Sequence, residues 1–166
     1  MDNNAISISN YLIDKTDEIT GKKLKLLGLM KRVYLVHGFS LAILNKPAID
    51  HRFDKVEAWK YGPVIPSVYH TFKYNGSNDI VTLGKIIDFE KDNYPDETPM
   101  LEDPKLQAIC NMVLNRYKNF SDREIVEFTH MKNTPWDIVY VEGENKEIDD
   151  KLTKMYFEEI VNPKDC

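Results

Sequence analysis

The stretch from Leu24 to Leu44 constrains the fold most. It reads as one long helix that begins amphipathic, with its lysines on one side, and turns apolar nearly all round from Val33 onward. A helix apolar on every face has to lie in the middle of a fold. Gly28 and Gly38 each cost such a helix about 1 kcal/mol relative to alanine, which makes sense where another helix approaches closely. Asn45-Lys46-Pro47 stops it. Its uncharged apolar part, Val33 to Asn45, is 13 residues long and contains His37 and Ser40, short of the roughly 18–20 needed to cross a bilayer. No membrane span is expected.

The flanking sequence predicts shorter elements. Ile6 to Ile19 has weak helical spacing, and Thr20 reads as the N-cap of the long helix. Phe53 to Trp59 alternates like a short strand, Lys60-Tyr61-Gly62-Pro63 reads as a turn, and Pro66 opens a helix closed by Asn75-Gly76. Ile80 to Phe89 suggests a second strand, followed by a polar loop from Asp92 to Pro99 that we expect to be mobile. Three helix starts are sharper: Asp103-Pro104, the capping box Ser121-Asp122-Arg123-Glu124, and Thr134-Pro135. Ile148 to Val161 closes the chain with an amphipathic helix laid on the body. The fold class is therefore mainly α (α+β), a compact helical domain around a long central helix with a small strand pair. Its 166 residues suit one domain, 1–166.

Charge is segregated within a net −5. Thr20 to Val33 carries Lys22, Lys23, Lys25, Lys31 and Arg32 with no acid, and reads as a solvated helix face, the alternative being a polyanion contact. Asp88 to Asp103 is a local −6. That acidity suits a basic protein partner through electrostatic steering. Cys110 falls at a core position, Cys166 reads as an exposed tail thiol, and no thiolate metal set exists. Met1-Asp2-Asn3-Asn4 lacks the basic start of a secretory signal, so a cytoplasmic location is expected.

Catalytic signatures are missing. There is no nucleophile elbow, no glycine-rich phosphate loop, and no HxxxH or HExxH among His37, His51, His70 and His130. His37 reads as a hydrogen-bonded core histidine, and His130 as an imidazole that caps a helix C-terminus. We expect no catalytic residue, metal or cofactor.

One segment is distinctive: Glu57-Ala58-Trp59-Lys60-Tyr61-Gly62-Pro63-Val64-Ile65-Pro66-Ser67-Val68-Tyr69-His70. It resembles the signature of the Panacea domain, a family of SocA-like antitoxins and phage-associated proteins. Upstream, Lys23-Leu24-Lys25-Leu26-Leu27 and Val36-His37-Gly38-Phe39-Ser40-Leu41-Ala42 are similar to its central helix. Downstream, Ser121 to His130 and Thr134-Pro135-Trp136 look like its closing pattern, so the resemblance covers residues 6–140. Gly28-Leu29-Met30-Lys31-Arg32 departs from the family's more aromatic stretch, and glutamine is commoner where Leu26 stands.

The resemblance implies a domain that acts by binding: members neutralise a protein toxin encoded beside them, and some deliver it to a ClpXP-type protease. The candidate partner-binding residues are Trp59, Lys60, Tyr61, Gly62, Pro63, His130 and Trp136. Physically, at least one aromatic of the turn should lie on the core with its polar edge near the surface. A purely structural corner, with Trp59 packed on the long helix, fits the same residues. The alternative function is a phage-encoded effector that inhibits a host defence or proteolysis protein. A hydrolase around His130, and autoregulatory DNA binding through Lys22 to Arg32, are minor readings; nucleic acid is not the expected partner.

Overall fold

The computed structural model describes residues 5–88, 91–93 and 95–164. Met1 to Asn4, the end of the predicted second strand (Phe89) and the tail thiol Cys166 lie outside them.

Helix α1 (Ala5–Thr20) leads into α2 (Leu26–Leu44). Thr20 does not cap α2 as expected. Its hydroxyl turns back to donate to the Thr16 carbonyl at 2.7 Å, and Gly21, at φ 69°, ends α1 with its N–H on Asp17 O, the left-handed exit glycine favours. Helix α2 then starts behind Lys25 with no side-chain cap and stops at Asn45, also left-handed at φ 52°.

Helix α2 is the axis of the fold, touching α1, α3 (Pro66–Phe72), α4 (Pro104–Arg116), α5 (Asp122–Thr129) and α7 (Asp150–Val161). It is long and apolar enough to cross a membrane, yet 78% of its most apolar 18-residue window is buried inside this protein. Its two glycines are where neighbours come closest. A Cβ on Gly28 would stand 2.3 Å from Asp122 Oδ1 of α5, and one on Gly38 would stand 2.3–2.4 Å from the Phe157 ring of α7. The helix cost of glycine is thus offset by two close approaches.

The basic stripe breaks up in three dimensions. Lys23 and Lys25 are outside, paired with Asp17 and Asp79. Lys31 and Arg32 are buried, against the expectation of a solvated face. The Arg32 guanidinium donates to Gly28 O and Tyr117 O and lies 3.7 Å from Asp122. Burial lowers its pKa, and Asp122 works in the opposite direction.

The strands pair locally. Strand β1 (Glu57–Trp59) lies between β2 (Gly62–Val64) and β5 (Lys146–Glu147), both antiparallel, with Trp59 opposite Gly62. The sequence suggested Phe53 to Trp59 and Ile80 to Phe89 as the strands. Instead β1 turns back through Lys60-Tyr61 to β2, a short connection whose closure costs little chain entropy. Pro63, read as a turn residue, sits in β2 at the sheet edge, where its missing N–H is tolerated. Among the described residues of the second region only Ile86–Ile87 (β3) is strand, and it pairs with Asp96–Glu97 (β4) inside the expected loop. The buried Asn10 amide holds this region down, donating to Gly84 O and Pro99 O and accepting from the Gly84 N–H.

Three C-terminal starts are as read: Asp103 caps α4, Ser121 and Glu124 close the capping box of α5, and Thr134 caps α6 (Pro135–Val139). The closing helix α7 starts behind Asp149, which caps it, and not at Ile148 as expected.

Candidate functional site

The β1–β2 hairpin stands on α2 and α5. Gly62 has φ 109°, and a Cβ there would lie 3.0 Å from Lys31 Nζ and 3.4 Å from Thr129 Oγ1. Lys31 reaches up from α2 and donates to the Pro63 carbonyl at 2.8 Å. Burial lowers this ammonium to about 7. Gly62 and Pro63 are buried, so these two of the seven candidates shape the hairpin from beneath and present no side chain to a partner.

The other candidates converge above it. The Trp59 indole N–H donates to Glu57 Oε2 at 2.7 Å, and its ring meets Tyr69 of α3 edge-on at 5.2 Å. The Trp59 carbonyl accepts the Trp136 indole N–H at 2.6 Å, joining positions 77 residues apart. Trp136 stacks on Tyr140 at 4.5 Å and takes the His130 ring edge-to-face at 5.3 Å. His130 is the C-cap of α5, and its Nδ1 donates to Val126 O, as its position suggested.

At the hairpin tip Tyr61 is 64% exposed, with Lys60 Nζ 5.5 Å from its ring. Beyond Tyr69, Lys73 lies over both Tyr69 and Tyr74, and Tyr74 is 87% exposed. Ile138 and Met131, flanking Trp136 in the chain, are also exposed. The result is a continuous aromatic face from Tyr74 to Tyr140. Tyr69 stands in the signature, but neither it nor Tyr74, Lys73 or Tyr140 is among the candidate partner-binding residues. For Tyr140 the signal was its i, i+4 spacing from Trp136.

A second cluster was hidden by sequence distance. His37 and His51 both face Asp150, Nε2 to carboxylate, at 2.9 and 2.7 Å. One donor atom from each residue lies within 4.8 Å of the others, a spacing compatible with a metal ion. The hydrogen bonding argues for a clasp. The Ala48 N–H donates to His37 Nδ1, so His37 carries its proton on Nε2 and points it at Asp150. A metal on Nε2 would drive that proton to Nδ1 against the Ala48 N–H, the reverse of the second shell that metal-bound histidines keep.

Burial opposes ionisation of Asp150, but hydrogen bonds and charge from His37 and His51 outweigh it and hold the carboxyl below 3.8. A lowered carboxyl contributes stability that is present above its unfolded value and is lost as pH falls through the folded one. Asp150→Ala should therefore cost about 1–3 kcal/mol above pH 4. The gap to the parent should narrow in stronger acid, as urea titrations across that range would show.

A helical body with an aromatic, partly exposed face and a signature hairpin is the build of a protein-binding module. The chain belongs to the family described as Antitoxin SocA-like, Panacea domain, which matches residues 29–137. That stretch contains α2 from Leu29 onward, the hairpin, His130 and Trp136. Antitoxin SocA of Caulobacter vibrioides (strain NA1000 / CB15N) is 30% identical over 138 residues, covering 81% of this chain and 69% of that protein. No solved structure matches the chain. Membership places it among protein-binding antitoxins, a family without catalytic activity.

Proposed function

We propose that this chain is a cytoplasmic antitoxin that neutralises a partner toxin by direct binding, and that the face built on Trp59, Lys60, Tyr61, His130 and Trp136 makes the contact. The observation that carries the reading is the Trp136 to Trp59 hydrogen bond. It locks two tryptophans into a rigid platform beside the exposed Tyr61. Rigid aromatic anchors of this kind dominate protein interfaces. Delivery of the captured toxin to a ClpXP-type protease is the finer part of the proposal.

The test is a colony count on inducing the reading frame beside this gene, alone and together with this chain, in a host lacking both. Rescue supports the antitoxin reading, and a protease-deficient host separates sequestration from delivery. Toxicity that the chain leaves untouched, or none at all, moves the reading to a phage effector acting on a host protein. Tyr61→Ala removes an exposed ring and should weaken toxin binding about tenfold or more while leaving the melting temperature unchanged. Normal rescue by both Tyr61→Ala and Trp136→Ala would place the contact elsewhere.

A further inference from the structure

On the basis of the binding face proposed above, we infer that its occupant is an acidic segment of the partner protein, with apolar side chains on Trp59 and Tyr69 and carboxylates on Lys60 and Lys73. The argument is one of charge. The protein is net −5, and lysines bordering this face are neutralised: Lys55 by Glu57 at 3.1 Å and Lys132 by Asp137 at 3.8 Å. Lys60 and Lys73 are not. Among the described residues neither has a carboxylate within ion-pair distance, and both ammonium groups lie over tyrosine rings.

An ammonium held on a ring keeps its charge turned to solvent and has already lost much of its side-chain freedom. It can then take a carboxylate at a smaller ordering cost than a free lysine. Along the face, Lys73 is joined to Tyr69, Tyr69 to Trp59, and Trp59 is followed directly by Lys60. Two cations thus bracket a half-buried aromatic pair. The overall acidity predicts a basic partner, whereas the charge at this face runs the other way.

Aromatic rings with lysines also suit single-stranded nucleic acid. The sheet's other flank argues against it. Glu147 is exposed there and stands opposite Glu57 in the β1–β5 register, while the nearby Glu144 is paired with Lys146 at 3.4 Å. A uniformly charged phosphate chain would run from the lysines onto these acids, while a short acidic peptide ends before them.

The test uses the purified full chain and two fluorescein-labelled short peptides that share their apolar residues, one bearing glutamates and the other lysines. A short oligouridylate serves as the polyanion. The acidic peptide should bind at least about tenfold more tightly than the basic one at low salt, weaken as salt rises, and lose that advantage on the Lys60→Glu, Lys73→Glu double variant. The same reversal at Lys22 and Lys118, on other parts of the surface, should leave it unchanged. Failure of the acidic peptide to bind, equal binding of the two peptides, or oligouridylate binding as tight as the acidic peptide's overturns the inference. The rescue assay separates this failure from that of the face itself. If Trp136→Ala abolishes rescue while the lysine reversals leave toxin affinity and its salt dependence intact, the face stands and its acidic occupant falls.

Discussion

Phe157→Ala should destabilise the protein by about 3–5 kcal/mol, seen as a large fall in the urea midpoint with an unchanged slope. The ring is fully buried and makes edge-to-face contacts with Phe39 at 5.0 Å and Tyr34 at 5.7 Å. It also lies on Gly38, where there is no side chain to move into the space it leaves. The cavity therefore stays open and the cost falls at the upper end of the large-to-small range. Gly38→Ala fails for the opposite reason, since its methyl would overlap the ring, an overpacking worth about 1–3 kcal/mol. In the double variant the methyl fills part of the hole, so the two costs should sum to less than their parts. Strict additivity would show that the glycine and the ring are not coupled.

The second large effect concerns pH. Lys31 titrates at about 7 in the fold and near 10.5 when unfolded. Between those values the unfolded chain binds the additional proton, so stability rises with pH across that interval; below pH 7 both states are protonated and the full burial penalty is present. Lys31→Met fills the same volume without the charge but leaves the Pro63 carbonyl unpartnered. The net gain below pH 7 should be on the order of 2–4 kcal/mol, shrinking as pH rises, with a flatter pH profile overall. Cys110 acts in the other direction. Burial raises its thiol from 9 to about 12, so stability is lost as the unfolded thiol ionises above pH 9, and the clean window is pH 7 to 9. Parallel pH profiles of parent and Lys31→Met in that window would refute the buried-lysine account.

The features legible in the sequence were those whose cause is local. A cap such as Ser121 with Glu124 is written within four residues, and the same holds for Asp103-Pro104 and Thr134-Pro135. The apolar surround of α2 and its two glycines announced a central helix with close neighbours, though not that Asp122 and Phe157 would be the groups in contact. Thr20 misled because threonine caps N-termini and also bonds back into a preceding turn, and Gly21 decided between the two. Lys31 and Arg32 looked solvated because charge is the strongest local sign of exposure. The carbonyls that make burial tolerable come from the hairpin, from the end of α4 and, for Arg32, also from Gly28 one turn back in α2.

The candidate site divides along the same line. Trp59, Tyr61 and Trp136 stood out by residue type, whereas the hydrogen bond joining two of them is a tertiary fact. His37, His51 and Asp150 meet although 113 residues separate the first from the last, and no spacing rule reaches that far. The binding surface was half visible for this reason.

The position of Phe157 also sets a timetable for synthesis. Helix α2 leaves the ribosome well before the ring that covers Gly38 and the strand that completes the β1 sheet. Until then a nascent chain displays the most apolar helix of the protein with one flank open, a surface that chaperones and proteases recognise. Truncated products of interrupted translation should be cleared, and the amount of folded protein will track the number of chains translated past Val161 and not the number begun.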